Sequence, residues 1–359
     1  MISLNWMRTT YQPSLTRYLI LLIGTFSFTT VCLTSYSLPS SIYSYRLQDI
    51  SRITKHRITI VQHLAPRDNG LTPDELKELS RKSHEAYCEY HGYNYRLDRS
   101  EYFTAEQTSE EGELPGFDTH NNKLIVLHRA VADELAKGEE GSDWVAQMDA
   151  DVLVIDPLIP LHLLLPPPSQ SPSPIILANQ DFNGFNNGVT LYRVTPLLLV
   201  FISQCIALEA ELWATEQVHA TDQALLARGI QRHPEIIERF YTIPQIWMND
   251  YVIQGAEPSG EEWEPRVQYH LVAWTKWAEG VNWDEIYETA QKRYPPRRET
   301  ERAWWESLWY WGDYTSREIE VVKAENVARE IEEKTREYAE RWWSTKAKAG
   351  IEGMVFTMI

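Results

Sequence analysis

The sequence predicts an α/β protein, with strands and helices alternating in the order of a sheet with parallel strands. Three observations carry this reading. From residue 57 to residue 155 the pattern runs strand, helix, strand, loop, helix, strand. The stretch "DWVAQMDADVLVIDP" (Asp143–Pro157) has the apolar, partly β-branched make-up of a buried parallel strand. The 359 residues, 43% hydrophobic, suffice for one large core or two modest ones.

Each element has a local reason. "HRITIVQHL" predicts a first strand over Ile58–Gln62. "TPDELKELSRKSHEAYCEYHGYNY" predicts a helix with Thr72 as N-cap, Glu75 completing a capping box and Gly92 ending it; "YNYRL" then gives a second strand. An acidic loop, Glu101–His120, leads into the helix "NNKLIVLHRAVADELAKG", which stops at Gly138. "LPPPSQSPSP" excludes a strand or helix interior. "IILANQD" and "GVTLYRV" read as strands flanking "FNGFNN", with Asn186, Asn187 and Gly188 forming a tight turn. A long apolar helix starts at Thr195, and Thr221 caps a short one in "ATDQALLARG". In the Trp-rich, acidic tail, Ile319, Val322, Val327, Ile331, Tyr338 and Trp342 mark one helical face, directed at the core or a partner.

The net charge of −17 argues against a protein that tracks nucleic-acid phosphates, which carries a basic face. The 14 Trp and 19 Tyr supply rings that stack on sugar faces, although core packing in a large domain accounts for most of them. No charge occurs from Tyr18 to Tyr45, and residues 18–36 are mostly apolar. A membrane-spanning helix needs about 20 such residues. Arg8 and Arg17 precede the segment, which keeps the N-terminus cytosolic. The expected organisation is a cytosolic tail (1–17), an uncleaved signal anchor (18–36), a stem (37–56), a catalytic domain (57–285) and a helical C-terminal extension (286–359). A cleaved signal peptide is the alternative, but no small-x-small site follows. Cys88 and Cys205 form either one disulfide or two buried thiols, and the chain has no Asn-x-Ser/Thr sequon.

The Asp143–Pro157 strand places Asp149 and Asp151 between its apolar runs, only Ala150 apart. Two like charges there are costly unless a positive group joins them. Paired carboxylates at the end of a sheet strand suit a hard divalent cation, Mn²⁺ or Mg²⁺, that also takes phosphate oxygens. The bland alternative is two Asp residues in a solvated turn. A phosphatase of the haloacid-dehalogenase type also uses Asp-x-Asp, but needs it after the first strand.

Four stretches, in order, resemble the fungal α-1,2-galactosyltransferase and α-1,6-mannosyltransferase family of GT-A glycosyltransferases (family 34), which includes plant xyloglucan xylosyltransferases. They are "NNKLIVLHRAV", "DWVAQMDADVLVIDP", "QDFNGFNNGVTLYR" and "TDQALL"; "IPQIWMNDY" further resembles the family's Pro-Gln-x-x-x-Asn-x-Tyr stretch. "YHLVAWTKW" resembles the segment of glycogenin-like retaining transferases in which a histidine binds metal and a lysine binds diphosphate. The chain departs from these patterns at Ala273, where Gly is usual, at Trp274 for Cys, at Asn122 for Trp and at Asn187 for Ala.

The resemblance implies a Rossmann-like GT-A domain with a mixed, mostly parallel sheet flanked by helices. It implies a Golgi, single-pass type II enzyme that moves a hexose from UDP-Gal or GDP-Man to a glycan or glycoprotein acceptor with retention, using Mn²⁺ or Mg²⁺. Asp149, Asp151 and His270 would hold the metal. Lys123 and Lys276 would serve the diphosphate, Val61 and Gln62 the nucleoside, and Asn187 and Gly188 the sugar. Asp222 and Gln223 would lie beside the anomeric carbon, with Asp222 either nucleophile or orienting group; charge at the helix N-terminus is its bland reading. The alternatives are a glycogenin-like transferase of another donor class and a non-catalytic scaffold subunit of a Golgi transferase complex.

Overall fold

The structure, a computed structural model, describes residues 57–65, 72–102, 119–181, 184–216, 218–251, 265–271, 321–351 and 354. The expected anchor and stem, Lys276, and the departures at Ala273 and Trp274 lie outside these residues. Among the described residues, six strands form one sheet: β1 (Ile58–His63), β2 (Asn94–Asp98), β3 (Trp144–Met148), β5 (Ile176–Asp181), β6 (Gly184–Arg193) and β7 (Phe240–Thr242). Their order is β2-β1-β3-β6-β5-β7. β1 pairs parallel with β2 and β3, and β5 with β7, whereas β6 is antiparallel to both β3 and β5. The sheet is therefore mixed and mostly parallel, with β6 the reversed strand.

β4 (Val152–Val154) pairs with β8 (Gln268–His270) in a separate two-stranded antiparallel ribbon. The single strand expected over Asp143–Pro157 is thus two strands in two sheets. The acidic pair is the reason. Asp149 and Asp151 do not fit an apolar ladder, so the chain turns through Asp149-Ala150-Asp151, with the Val152 N–H donating to the Asp149 carbonyl at 3.3 Å.

Helices α1 (Asp74–His91), α2 (Asn122–Ala136), α3 (Pro196–Glu216) and α4 (Asp222–Arg232) are followed by two single-turn helices, α5 (Pro234–Ile237) and α6 (Gln245–Met248), and by α7 (Val321–Thr345). Alternation along the strands splits the core between the two sheet faces. Ile60, Ala146 and Leu191 join Tyr87, Trp247 and Trp342 in one cluster. Val61, Val145 and Tyr192 join Leu127, Phe201 and Leu225 in the other. Cys88 is buried in the first cluster and Cys205 in the second, and both are free thiols. α3 is apolar and long enough to span a bilayer, yet Leu198, Phe201, Ile202 and Leu208 bury one side of it in the core.

The caps mostly follow the sequence. Gly92 takes the left-handed conformation after α1, at φ 69°. The Thr221 side chain accepts from the Ala224 N–H at 3.3 Å, and Thr195 from that of Leu198 at 3.1 Å. α1 differs, because its N-cap is Pro73 rather than Thr72 and no side chain caps it. Proline's fixed φ supplies an entry that Thr72 was expected to make.

The described part of α7 packs on the core, whereas Ile319 of the expected face lies outside the described residues. Ile331, Tyr338 and Trp342 of the expected face are buried there, and the Trp343 indole N–H donates to the Leu164 carbonyl at 3.0 Å. Trp247, fully buried, lies with its ring centroid 4.9 Å from Trp342 and 6.0 Å from Tyr338. Trp247→Ala should cost about 3–5 kcal/mol of unfolding free energy, measured by denaturant titration, and should speed proteolytic release of α7.

Candidate active site

Asp149, Asp151 and His270 converge, with one ligand atom from each lying within 4.8 Å of the others. Topology explains how. Asp149 directly follows β3, and because β6 is antiparallel to β3, the first residues of β6 stand at the same end. Met148 pairs with Val189, and the Asp149 N–H donates to the Gly188 carbonyl at 2.8 Å. Asn186, Asn187 and Gly188 are accordingly strand residues. They are not the expected tight turn, because the pairing of β6 with β5 already starts at Gly184, opposite Asp181.

β8 delivers the histidine. His270 pairs with Val152, and the Leu271 N–H donates to the Asp151 carbonyl at 2.9 Å. His270 Nε2 stands 3.3 Å from Asp151 Oδ1 and 3.8 Å from Asp149 Oδ2. The imidazole packs on Gly188 so closely that a Cβ there would come 2.2 Å from His270 Cε1. Gly188 therefore lets a histidine, rather than a ligand, approach the backbone. Gly188→Ala should displace the ring and weaken Mn²⁺ binding by at least about 10-fold in a calorimetric titration.

The pair turn is held from behind. Gln62 Nε2 donates to the Asp149 carbonyl at 3.1 Å and to Ser80 Oγ at 2.8 Å, and Gln62 Oε1 accepts from the Tyr95 hydroxyl at 2.7 Å. Ser80 Oγ donates to the Val152 carbonyl at 2.5 Å. Gln62 and Val61 are fully buried, so both side chains are engaged inside the protein. Gln268, two residues before His270, meets His84 Nε2 at 3.0 Å, while His84 Nδ1 bonds the Ser80 carbonyl at 2.8 Å. Burial pushes the His84 imidazole down to about 4. Its lowered value means that folding favours the neutral ring. His84 therefore contributes stability above the ordinary imidazole range, lost as pH falls from about 6.5 toward 4. Chemical denaturation across that window should show the loss, and His84→Gln should remove this component.

A second cluster adjoins the first. Lys123, in the first turn of α2, reaches Asp149 Oδ1 at 2.5 Å and Asp222 Oδ2 at 2.9 Å. Asp222 opens α4; its Oδ2 also accepts from Asn187 Nδ2 at 2.6 Å, and Gln223 Oε1 accepts from the Asn187 N–H at 3.3 Å. Burial opposes charge on Lys123, but Asp149 and Asp222 outweigh it and hold the ammonium well above its ordinary range. Burial also pushes the Asp149 carboxyl up; Lys123 opposes this and Asp151 adds to it. Lys123 is thus a positive group joined to Asp149 of the acidic pair. Among the described residues, this cluster brings three carboxylates (Asp149, Asp151 and Asp222) together with the Lys123 ammonium and the His270 ring. Carboxylate oxygens plus one imidazole, converging this closely, fit a divalent ion held by Asp149, Asp151 and His270.

Sequence reasoning gave no role to Asn249, Asn179, Asp181 and Tyr251. Asn249 Oδ1 meets His270 Nδ1 at 2.7 Å, and Tyr251 hydrogen-bonds Asp181. The available signal was the Pro-Gln-x-x-x-Asn-x-Tyr stretch, which contains both Asn249 and Tyr251.

No protein-family model and no curated protein matches the chain. Among solved structures, a glycosyltransferase involved in glycosylation of the major capsid of PBCV-1 is similar over 65% of this chain and 98% of its own, at 17% identity and a TM-score of 0.41. Mouse xyloside xylosyltransferase 1 is similar over 60% of this chain and 97% of its own, at 13% identity and a TM-score of 0.34. The glycosyltransferase GlyE of Streptococcus pneumoniae TIGR4 is similar over 82% of this chain and 65% of its own, at 12% identity and a TM-score of 0.38.

Proposed function

We propose that the chain is a metal-dependent GT-A glycosyltransferase that takes a hexose from a nucleoside-diphosphate sugar and transfers it to a glycan acceptor. The observation that carries this reading is the convergence of Asp149, Asp151 and His270 beside Lys123, Asp222 and Asn187 at one end of the sheet. That end is where open α/β sheets bind ligands. The N-termini of α2 and α4, which carry Lys123 and Asp222, open onto the same cluster, and helix N-termini favour phosphate.

When bound, a divalent ion supplies Lewis-acid stabilisation of the departing nucleoside diphosphate. Lys123 adds a positive charge on the same side. Asn187 and Lys123 both engage Oδ2 of Asp222, which fixes the carboxylate's direction. A carboxylate so held orients an acceptor hydroxyl or a donor hydroxyl. In this reading the bond from the anomeric carbon to the diphosphate breaks as the acceptor oxygen attacks from the same face. The acceptor's proton passes to the diphosphate oxygen, and configuration is retained. The sequence resemblance supports this stereochemistry, a family 34-like donor (UDP-Gal or GDP-Man) and a Golgi type II placement through residues 18–36.

The full chain with Mn²⁺ and a panel of sugar nucleotides, read by product NMR, tests the function. Transfer from a UDP- or GDP-hexose with an α-linked product is expected. An inverted β-product would overturn retention, and a glycosyl ester trapped on Asp222 would replace same-face attack by double displacement. Protease treatment of intact microsomes should spare the catalytic domain, and its digestion without detergent would contradict the topology.

A further inference from the structure

We propose that Asn249 is a positioning residue that holds the His270 ring in its Nδ1–H tautomer and so presents a bare Nε2 to the metal. The metal half of this inference rests on the reading above. The tautomer half follows from a chain of hydrogen bonds in which each partner leaves the next only one role.

The chain starts at two fixed ends. Asn186 Nδ2 lies 2.8 Å from an Asp181 carboxylate oxygen, and Asn186 Oδ1 lies 2.8 Å from the Gly188 N–H. A carboxylate accepts and a backbone N–H donates, so the Asn186 amide is oriented without ambiguity. Independently, Asn179 Nδ2 donates to the Val189 carbonyl at 3.2 Å, which turns Asn179 Oδ1 toward Asn249. Asn249 thus faces two carbonyl oxygens, Asn179 Oδ1 at 2.5 Å and Asn186 Oδ1 at 3.0 Å, and only its NH₂ group can satisfy both. Its remaining atom, Oδ1, is an acceptor 2.7 Å from His270 Nδ1. Asn249 is fully buried, so no bulk water competes for that contact. His270 Nδ1 must therefore carry the proton.

In the neutral ring Nε2 then holds a lone pair, aimed at Asp151 Oδ1 at 3.3 Å and Asp149 Oδ2 at 3.8 Å. Three acceptors facing one another suit a cation. An amide carbonyl behind a ligating histidine is the usual device for fixing ring orientation and tautomer. Gly188 completes it by leaving room for the ring against the strand.

The test is ¹⁵N NMR of the histidine rings in the metal-free full chain in detergent, with His270 assigned by comparison with His270→Gln. Spectra are taken at rising pH until the ring signals stop shifting, and the tautomer is read at that endpoint. The wild type should show the proton on Nδ1. Asn249→Ala should lose that preference and bind Mn²⁺ about 10–100-fold more weakly in a calorimetric titration. A wild-type ring protonated on Nε2 would overturn the inference, as would an Asn249→Ala protein with unchanged tautomer and Mn²⁺ affinity. If that variant fails to fold, the wild-type spectrum decides. A wild type with the Nδ1–H tautomer that binds no Mn²⁺ would support the role of Asn249 on the ring and overturn the metal reading.

Discussion

Asp151→Asn should leave the fold intact and weaken Mn²⁺ binding by at least about 100-fold, with donor turnover falling alongside it. Asp151 is 4% exposed, and its Oδ1 is the carboxylate oxygen nearest His270 Nε2. The substitution keeps the size of the side chain and removes one negative charge from the candidate ligand set. Stability in metal-free buffer should hold or rise, because a buried like-charge contact with Asp149 is relieved. Calorimetric Mn²⁺ titration and thermal unfolding, run together, separate loss of a ligand from loss of the fold. A variant with wild-type activity in the presence of a chelator would remove the metal from the mechanism.

Lys123→Met should have the opposite stability signature. It leaves Asp149 and Asp222 without their shared ammonium, and unpairing buried charges costs about 3–5 kcal/mol. The Lys123 and Asp149 side chains keep 15% and 22% exposure, so the lower end, about 3 kcal/mol, is expected. The raised folded-state value of Lys123 sets the pH sense. Its contribution is fully present below the unfolded lysine value, about 10.4, and is lost only as pH rises above it. The difference between wild type and variant should be flat through neutral pH and shrink only in strong alkali. Saturating Mn²⁺ should stabilise the variant more than the wild type, since the ion then meets uncompensated carboxylates. Equal stabilisation of both proteins would mean that Lys123 and the ion answer to different charges.

Much of this site was legible in the sequence, because its chemistry is carried by residue types that are conspicuous where they stand. An acidic pair inside an apolar run, an Asp at a helix start and a Lys in the first turn of a helix are local signals. The parallel core β2-β1-β3 and the helices α1 to α4 were equally local, being matters of period and punctuation. What escaped the sequence depends on pairing between distant segments. β6 extends the same apolar pattern whether it pairs parallel or antiparallel, so nothing in "GFNNGVTLYR" announces that its first residues reach the Asp149 end. Read locally, two asparagines and a glycine look like a turn. Their actual roles depend on Asp222, 35 residues on, and His270, far downstream. The split of "DWVAQMDADVLVIDP" into two sheets likewise depends on β8, a three-residue strand with no periodic signal of its own. Asn249 was visible only as part of a short motif, since a buried amide has no signature until its neighbours are known.

The most direct test of a metal-dependent nucleotide-sugar site is calorimetric titration of the full chain with UDP and with GDP, each with Mn²⁺ and with a chelator. One of the two nucleotides should bind in the presence of Mn²⁺, lose at least about 100-fold in affinity when the ion is removed, and behave in Asp151→Asn as it does with chelator. Equal binding with and without Mn²⁺, or no binding of either nucleotide, would contradict it.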